Sequence, residues 1–207
     1  MSRIEGIIFD CDGVLFESKA ANLAYYNCIM EKFSYPLVTK DQQQRAHLCH
    51  TASSADVLAE LLEVADLHLA LEYAASLDYR DFIPHMQPEP YLDVVLRKLS
   101  AKYPLAVATN RGTSVEAILS HFGIEEFFKV IVTSRDVVKP KPAPDMLLLA
   151  SERLGVEPQH CLFIGDSELD QRAAAGANIR FVGYGGIAAG EVQLTNHLQL
   201  LDFLPAL

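Results

Sequence analysis

The chain has 207 residues, half of them apolar, which is enough for one large domain or for a core with a small second unit. Its formal net charge of −10 argues against a nucleic-acid surface, which would neutralise phosphates with Lys and Arg, but a local cation can still hold a small phosphorylated ligand. Cys11, Cys28, Cys49 and Cys161 are scattered without a CxxC pair, and no apolar run reaches the ~18 residues of a membrane helix, so the expectation is a reduced, cytoplasmic protein with no leader and no membrane contact.

The first element is an apolar run, Ile7-Ile8-Phe9, which ends abruptly in Asp10-Cys11-Asp12-Gly13. A buried strand gives such a run, and its carboxylates then sit where ligands bind an open α/β sheet. Side chains two apart share one strand face, unless the chain turns at Gly13 and swings Asp12 over the site. Two half-buried carboxylates repel, and a hard divalent cation is the simplest offset. A strand ending in a polar Asp-Gly turn is the plainer reading of this segment alone.

From Glu17 to about Phe82 the pattern is helical, with no convincing strand. Glu17–Phe33 carries apolar positions at Ala20, Leu23, Ala24, Tyr26, Met30 and Phe33. Asp41 can cap a short helix to about Leu48, and a break falls at Cys49-His50-Thr51. Ser53 or Ser54 then caps Val57-Leu58-Leu61-Leu62-Ala65. Pro84, Pro88 and Pro90 mark a connection.

Beyond it, helices and strands alternate. The helices are 92–99, 114–122, 144–154 and 169–175, with Gly123, Gly155 and Gly176 at stop positions. The strands are 105–109, 130–133, 161–164 and 179–182, and a closing helix lies near 198–204. This rhythm predicts an α/β fold: a Rossmann-like parallel sheet of five or more strands interrupted by a small α-helical insert. Residues 1–16 and 84–207 would form the core, and residues 17–83 the insert.

Most of these strands run into polar clusters. They are Asp10 and Asp12; Thr109-Asn110-Arg111; Lys139-Pro140-Lys141-Pro142-Ala143-Pro144-Asp145; and Gly165-Asp166-Ser167-Glu168-Leu169-Asp170. A parallel sheet brings such ends to one edge. Carboxylates, a hydroxyl, an amide and a lysine on a proline-stiffened loop are what phosphoryl transfer needs: positioning and charge neutralisation around phosphorus.

Together these clusters resemble the four motifs of the haloacid-dehalogenase superfamily. Asp10-Cys11-Asp12-Gly13-Val14-Leu15 resembles DxDGxL, and Val107-Ala108-Thr109-Asn110 resembles the second motif. Lys141-Pro142-Ala143-Pro144-Asp145 and Gly165-Asp166-Ser167-Glu168-Leu169-Asp170 resemble the third and fourth. The phosphoglycolate phosphatase and β-phosphoglucomutase branch is the nearest, and the helical insert resembles its cap.

The resemblance implies a Mg²⁺-dependent phosphatase acting on a small phosphorylated metabolite, as a monomer or homodimer. Asp10 would be the nucleophile that forms an aspartyl-phosphate, and Asp12 the acid and base. Asp10, the backbone carbonyl of Asp12, and Asp166 would hold Mg²⁺, with Asp170 orienting a metal-bound water or Lys141. Lys141, rather than Lys139, would neutralise charge. Thr109 and Asn110 would hold phosphoryl oxygens, and Arg111 would meet the substrate or the cap. Glu17 lies at the hinge, and a cap loop near His47, His50 and Thr51 would reach the substrate. Glu168 reads as a helix-start residue, and Cys11 as core.

Two rivals remain at this stage. A phosphosugar mutase of the β-phosphoglucomutase type would use the same aspartyl-phosphate. A receiver-like phospho-accepting module also gathers aspartates, Thr and Lys around Mg²⁺, but the Asp10-x-Asp12 spacing and the helical insert weigh against it.

Overall fold

The computed structural model describes residues 3–186 and 192–204. The chain runs through β1 (Gly6–Phe9), β2 (Phe16–Glu17), α1 (Lys19–Lys32), α2 (Gln43–Thr51), α3 (Ser54–Leu61), α4 (Val64–Ser76) and β3 (Gln87–Pro88). It continues through α5 (Leu92–Ser100), β4 (Leu105–Thr109), α6 (Val115–His121), β5 (Phe128–Thr133), α7 (Asp145–Leu154), β6 (Cys161–Gly165), α8 (Glu168–Ala177), β7 (Arg180–Tyr184), β8 (Gln193–Leu194) and α9 (Leu198–Phe203).

Six of the strands form one parallel sheet in the order β5-β4-β1-β6-β7-β8. Alternation along β1 divides the core in two. Ile7 and Phe9 pack with Val95 and Leu96 of α5, Ile118 of α6 and Leu200 of α9. Ile8, on the other face, packs with Met146 and Leu147 of α7 and Ala173 and Ala174 of α8. Helices on both faces explain why β1, β4 and β6 are unbroken apolar runs. The helical insert has its own core, where Tyr26, Ile29 and Met30 of α1 meet Cys49, Val57, Leu58 and Ala70. No described helix is long and apolar enough to cross a membrane.

The chain enters and leaves the insert through a short antiparallel ribbon, Phe16 against Pro88 and Glu17 against Gln87. Two-residue strands carry no readable period, so neither this ribbon nor β8 was visible in the sequence. Three other expectations need correction. Asp41 caps nothing: α2 begins at Gln43 and continues through Cys49, His50 and Thr51, where a break was expected. Burial of Cys49 and His50 accounts for the longer helix, because packing outweighs local propensity. In α1 the expected Tyr26 and Met30 are buried, with Leu23 and Phe33 packed against the same core, but Ala20 is exposed and Ala21, Asn22 and Ile29 are buried as well. Gly176 does not end α8, which stops at Asn178 with φ 55°. Its lack of a side chain serves packing instead, since a Cβ there would lie 3.3 Å from Pro144 at the start of α7. Ser53 does cap α3, accepting from the Asp56 N–H.

Candidate active site

Register sets the site. Phe9 pairs with Val107 on one side and Ile164 on the other, so β1 and β6 finish within a residue of each other and β4 runs two residues further, to Thr109. The Asp10 N–H still donates to Ile164 O at 2.9 Å, and Asp10 is then the first residue beyond the edge. Thr109 ends β4 and Asp166 follows β6. The chain turns at Gly13, with φ +72°, and a Cβ there would fall on the Asp166 carboxylate. Gly165 gives Asp170 the same clearance.

Carboxylate oxygens of Asp10, Asp166 and Asp170 lie within 4.8 Å of one another, and all three residues are buried. Lys141 Nζ reaches between two of them, 2.8 Å from Asp10 Oδ1 and 2.6 Å from Asp170 Oδ1. Asp170 Oδ2 accepts from the Ser167 N–H at 3.1 Å and its hydroxyl at 2.5 Å, closing a capping box at the start of α8. Burial drives the Asp10 carboxyl well above the ordinary range. Lys141 pulls it back, and Asp170, Asp166 and Asp12 add to the rise. Burial works against the Lys141 ammonium, but Asp10 and Asp170 raise its pKa above the usual lysine value. Three buried carboxylates face one ammonium, an imbalance that a hard divalent cation would offset. The donors are oxygens, the type Mg²⁺ prefers.

The Asp12 carboxylate points elsewhere. Its Oδ1 accepts from Ser18 Oγ, from Asn22 Nδ2 at 3.2 Å and from Arg111 Nη2 at 2.5 Å. Burial tends to raise its pKa, but Arg111, His50 and Ser18 more than reverse this and hold it below the usual carboxylate range. Arg111 Nη2 also donates to Asn22 Oδ1 at 2.6 Å, its Nη1 reaches Ser114 Oγ at 3.2 Å, and its guanidinium lies 4.6 Å from the Tyr79 ring centroid. Tyr79 Oη donates to the same Asn22 oxygen at 2.7 Å. The Asp12 side chain therefore stands outside the carboxylate triad, which leaves only its backbone for the metal role expected of it.

The other expected residues divide. Thr109 is buried at the cavity wall, and its Oγ1 accepts from the Arg111 N–H at 3.2 Å. The Asn110 side chain is occupied in joining loops. Its Nδ2 donates to Lys141 O at 3.0 Å and Thr51 O at 3.3 Å, and its Oδ1 accepts from the Lys141 N–H at 3.0 Å. That amide is therefore not aimed at a phosphoryl group. Arg111 closes on the insert through Asn22 and Tyr79. His50 and Thr51 line the cavity, but His47, three residues back on α2, is exposed and faces a smaller second cleft. Glu17 is exposed on the ribbon beside Lys19, away from the cavity. Glu168 is the exposed first residue of α8. Lys139 is exposed at the rim, Lys141 is buried, and Cys11 is core.

Ser18, Asn22 and Tyr79 were missed. Asn22 offered one faint signal, a polar residue close to the apolar stripe of α1. Asn22 and Tyr79, with Asp10, Asp12, Arg111, Lys141 and Asp166, line a cavity of about 810 Å³ between the insert and the sheet edge. It has a carboxylate backed by an ammonium, a second carboxylate gripped by a guanidinium, and an oxygen-rich pocket for a cation. That combination suits in-line displacement at phosphorus.

Fold and site together define a capped α/β hydrolase. A family profile described as haloacid dehalogenase-like hydrolase matches residues 7–184, and the chain belongs to that family. It is 38% identical to a phosphoglycolate phosphatase of Shigella boydii, over 99% of this chain and 92% of that one. It is 27% identical to the fructose-1-phosphate phosphatase YqaB of Escherichia coli, over 86% of this chain and 94% of that one. Among solved structures, a HAD-superfamily hydrolase of subfamily IA from Geobacter sulfurreducens superposes with a TM-score of 0.86 at 34% identity, covering 97% of this chain and all of that one.

Proposed function

We propose that the protein is a Mg²⁺-dependent phosphatase that hydrolyses a small phosphomonoester through an aspartyl-phosphate on Asp10. The observation that carries this reading is Lys141 Nζ set between Asp10 and Asp170 beside Asp166, at the rim of one cavity. Asp10 attacks phosphorus as the bond to the leaving oxygen breaks, and Asp12, ionised in the free site, passes that oxygen the proton that a monoanionic phosphate ester brings. Asp12 then takes a proton from the water that attacks the phosphoenzyme, releasing orthophosphate and restoring Asp10. Lys141 neutralises charge on Asp10 and the phosphoryl group, and Thr109 donates to a phosphoryl oxygen.

Asp10, Asp166 and the Asp12 backbone would hold Mg²⁺, with Asp170 behind them. The ion, when bound, supplies charge neutralisation at the phosphoryl oxygens. Residues 17–83 act as the cap, moving on the Phe16–Glu17 and Gln87–Pro88 ribbon to exclude water. A cavity of about 810 Å³ suits a metabolite-sized substrate. Four free cysteines fit a cytoplasmic setting.

Orthophosphate release from a panel of small phosphate esters, including 2-phosphoglycolate and fructose 1-phosphate, with and without Mg²⁺, tests the reading. Mg²⁺-dependent, multiple-turnover release is expected. Isomerised phosphosugar without orthophosphate would indicate the mutase, and labelling that stops at one phosphate per chain would indicate a receiver-like module.

A further inference from the structure

His50 belongs to the insert yet faces the sheet edge. It is 7% exposed, and its Nε2 has no hydrogen-bond partner. That atom lies 3.8 Å from Asp166 Oδ2. The gap is too long for a direct hydrogen bond, but short enough for one oxygen atom beside it to lie within hydrogen-bond distance of both.

Its neighbours fix which ring nitrogen carries the proton. Asn22 Oδ1 receives hydrogen bonds from Tyr79 Oη and Arg111 Nη2, so its Nδ2 must be the end that faces Asp12 and His50. Nδ2 stands 3.4 Å from His50 Nδ1 and can only donate to it. His50 Nδ1 is thereby the acceptor, and in the neutral ring Nε2 is the donor, 3.8 Å from Asp166 Oδ2. The backbone is held as well, since the next carbonyl, Thr51 O, accepts from Asn110 Nδ2 at 3.3 Å.

We propose that His50 holds a water against Asp166, accepting from Nε2–H and donating to the carboxylate, and that this water is a ligand of the divalent ion. The inference rests on the metal role proposed for Asp166. Its content is that the insert, not only the sheet edge, contributes to ion affinity before any substrate arrives. Asn22 joins this outer ligand to Asp12 and, through Arg111, to the rest of the site, so insert position and ion binding are coupled. A buried donor without a partner is costly, and the bound water removes that cost.

The test is Mn²⁺ binding to the full chain without substrate, read from the EPR signal of the free ion, with unfolding midpoints measured in parallel. His50→Ala should weaken Mn²⁺ binding roughly tenfold or more, the usual effect of losing a group behind a metal ligand. His50→Gln, whose amide can donate from the same place, should stay within about threefold of the parent. Parent-like affinity in both variants overturns the inference, as does a glutamine variant as weak as the alanine one. Orthophosphate affinity is measured on the same proteins. If only that falls, His50 serves a phosphoryl oxygen and the water assignment is wrong. If the parent itself binds no Mn²⁺, the metal role of the triad fails, and this inference falls with it.

Discussion

Asp170 holds the Lys141 ammonium at 2.6 Å with one carboxylate oxygen, and with the other it caps α8 through Ser167. The helix start and the active-site charge are thus set by a single side chain. Gly165 permits the close approach, since a Cβ there would collide with Asp170.

Removing Lys141 strands two buried carboxylates, whereas Lys139 faces solvent. Lys141→Ala should lower kcat/KM by about 10² or more and stability by about 3 kcal/mol. Lys139→Ala should stay within roughly threefold on kcat/KM. Steady-state kinetics and denaturant unfolding of the two variants separate these roles.

Arg111 keeps Asp12 ionised from 2.5 Å away. In Arg111→Met the Asp12 pKa rises. The step that uses its carboxylate as base is lost as pH falls through that pKa, so the acid limb of the pH–rate profile should move up by roughly one unit. An unmoved limb would mean that Arg111 does not set the protonation of Asp12.

Gly13→Ala tests the turn. The positive φ costs roughly 1–2 kcal/mol for an alanine, and the new methyl displaces the Asp166 carboxylate. The thermal shift on adding Mg²⁺ should shrink, because binding to the native state raises Tm through the affinity that the variant loses. The metal-free midpoint should fall only slightly, which a differential scanning measurement with and without Mg²⁺ will show.

His197 is a buried base far along the chain. Its Nε2 donates to Val14 O at 2.7 Å, just after the Asp10–Gly13 turn, and its ring stacks on Tyr184. Burial holds it down at about 4, against an ordinary value of 6.5, despite the opposing Val14 hydrogen bond. Between those values the unfolded chain binds a proton that the folded one does not. Stability therefore rises with pH across the window and is lost as pH falls, by roughly 3 kcal/mol at its lower end. His197→Gln should flatten this slope in urea titrations between pH 4 and 6.5.

Much of this was legible because each inner strand delivers its polar residues within one turn of the sheet edge. Asp10, Thr109 and Asp166 needed only the strand order to converge, whereas Lys141 comes from the loop after β5 and is drawn in by Asn110, Asp10 and Asp170. The insert was harder to read. Asn22 and Tyr79 look like ordinary helix and turn residues, and their roles depend on how the insert lies against the sheet. His47 and His50 were grouped as one loop, but they sit on a continuous helix that carries one outward and the other inward. A break read at 49–51 concealed that difference. Glu17 lies on the ribbon that leads into the insert, where Phe16 is buried and Glu17 is exposed, so its side chain turns away from the cavity.

The most direct test of the central claim is turnover of p-nitrophenyl phosphate, with saturating Mg²⁺, by Asp10→Asn beside the parent. A folded variant whose kcat falls by about 10³ or more, with no acid-stable or base-labile phosphoenzyme, is the predicted result. A folded Asp10→Asn protein that turns over at near the parental rate would contradict it.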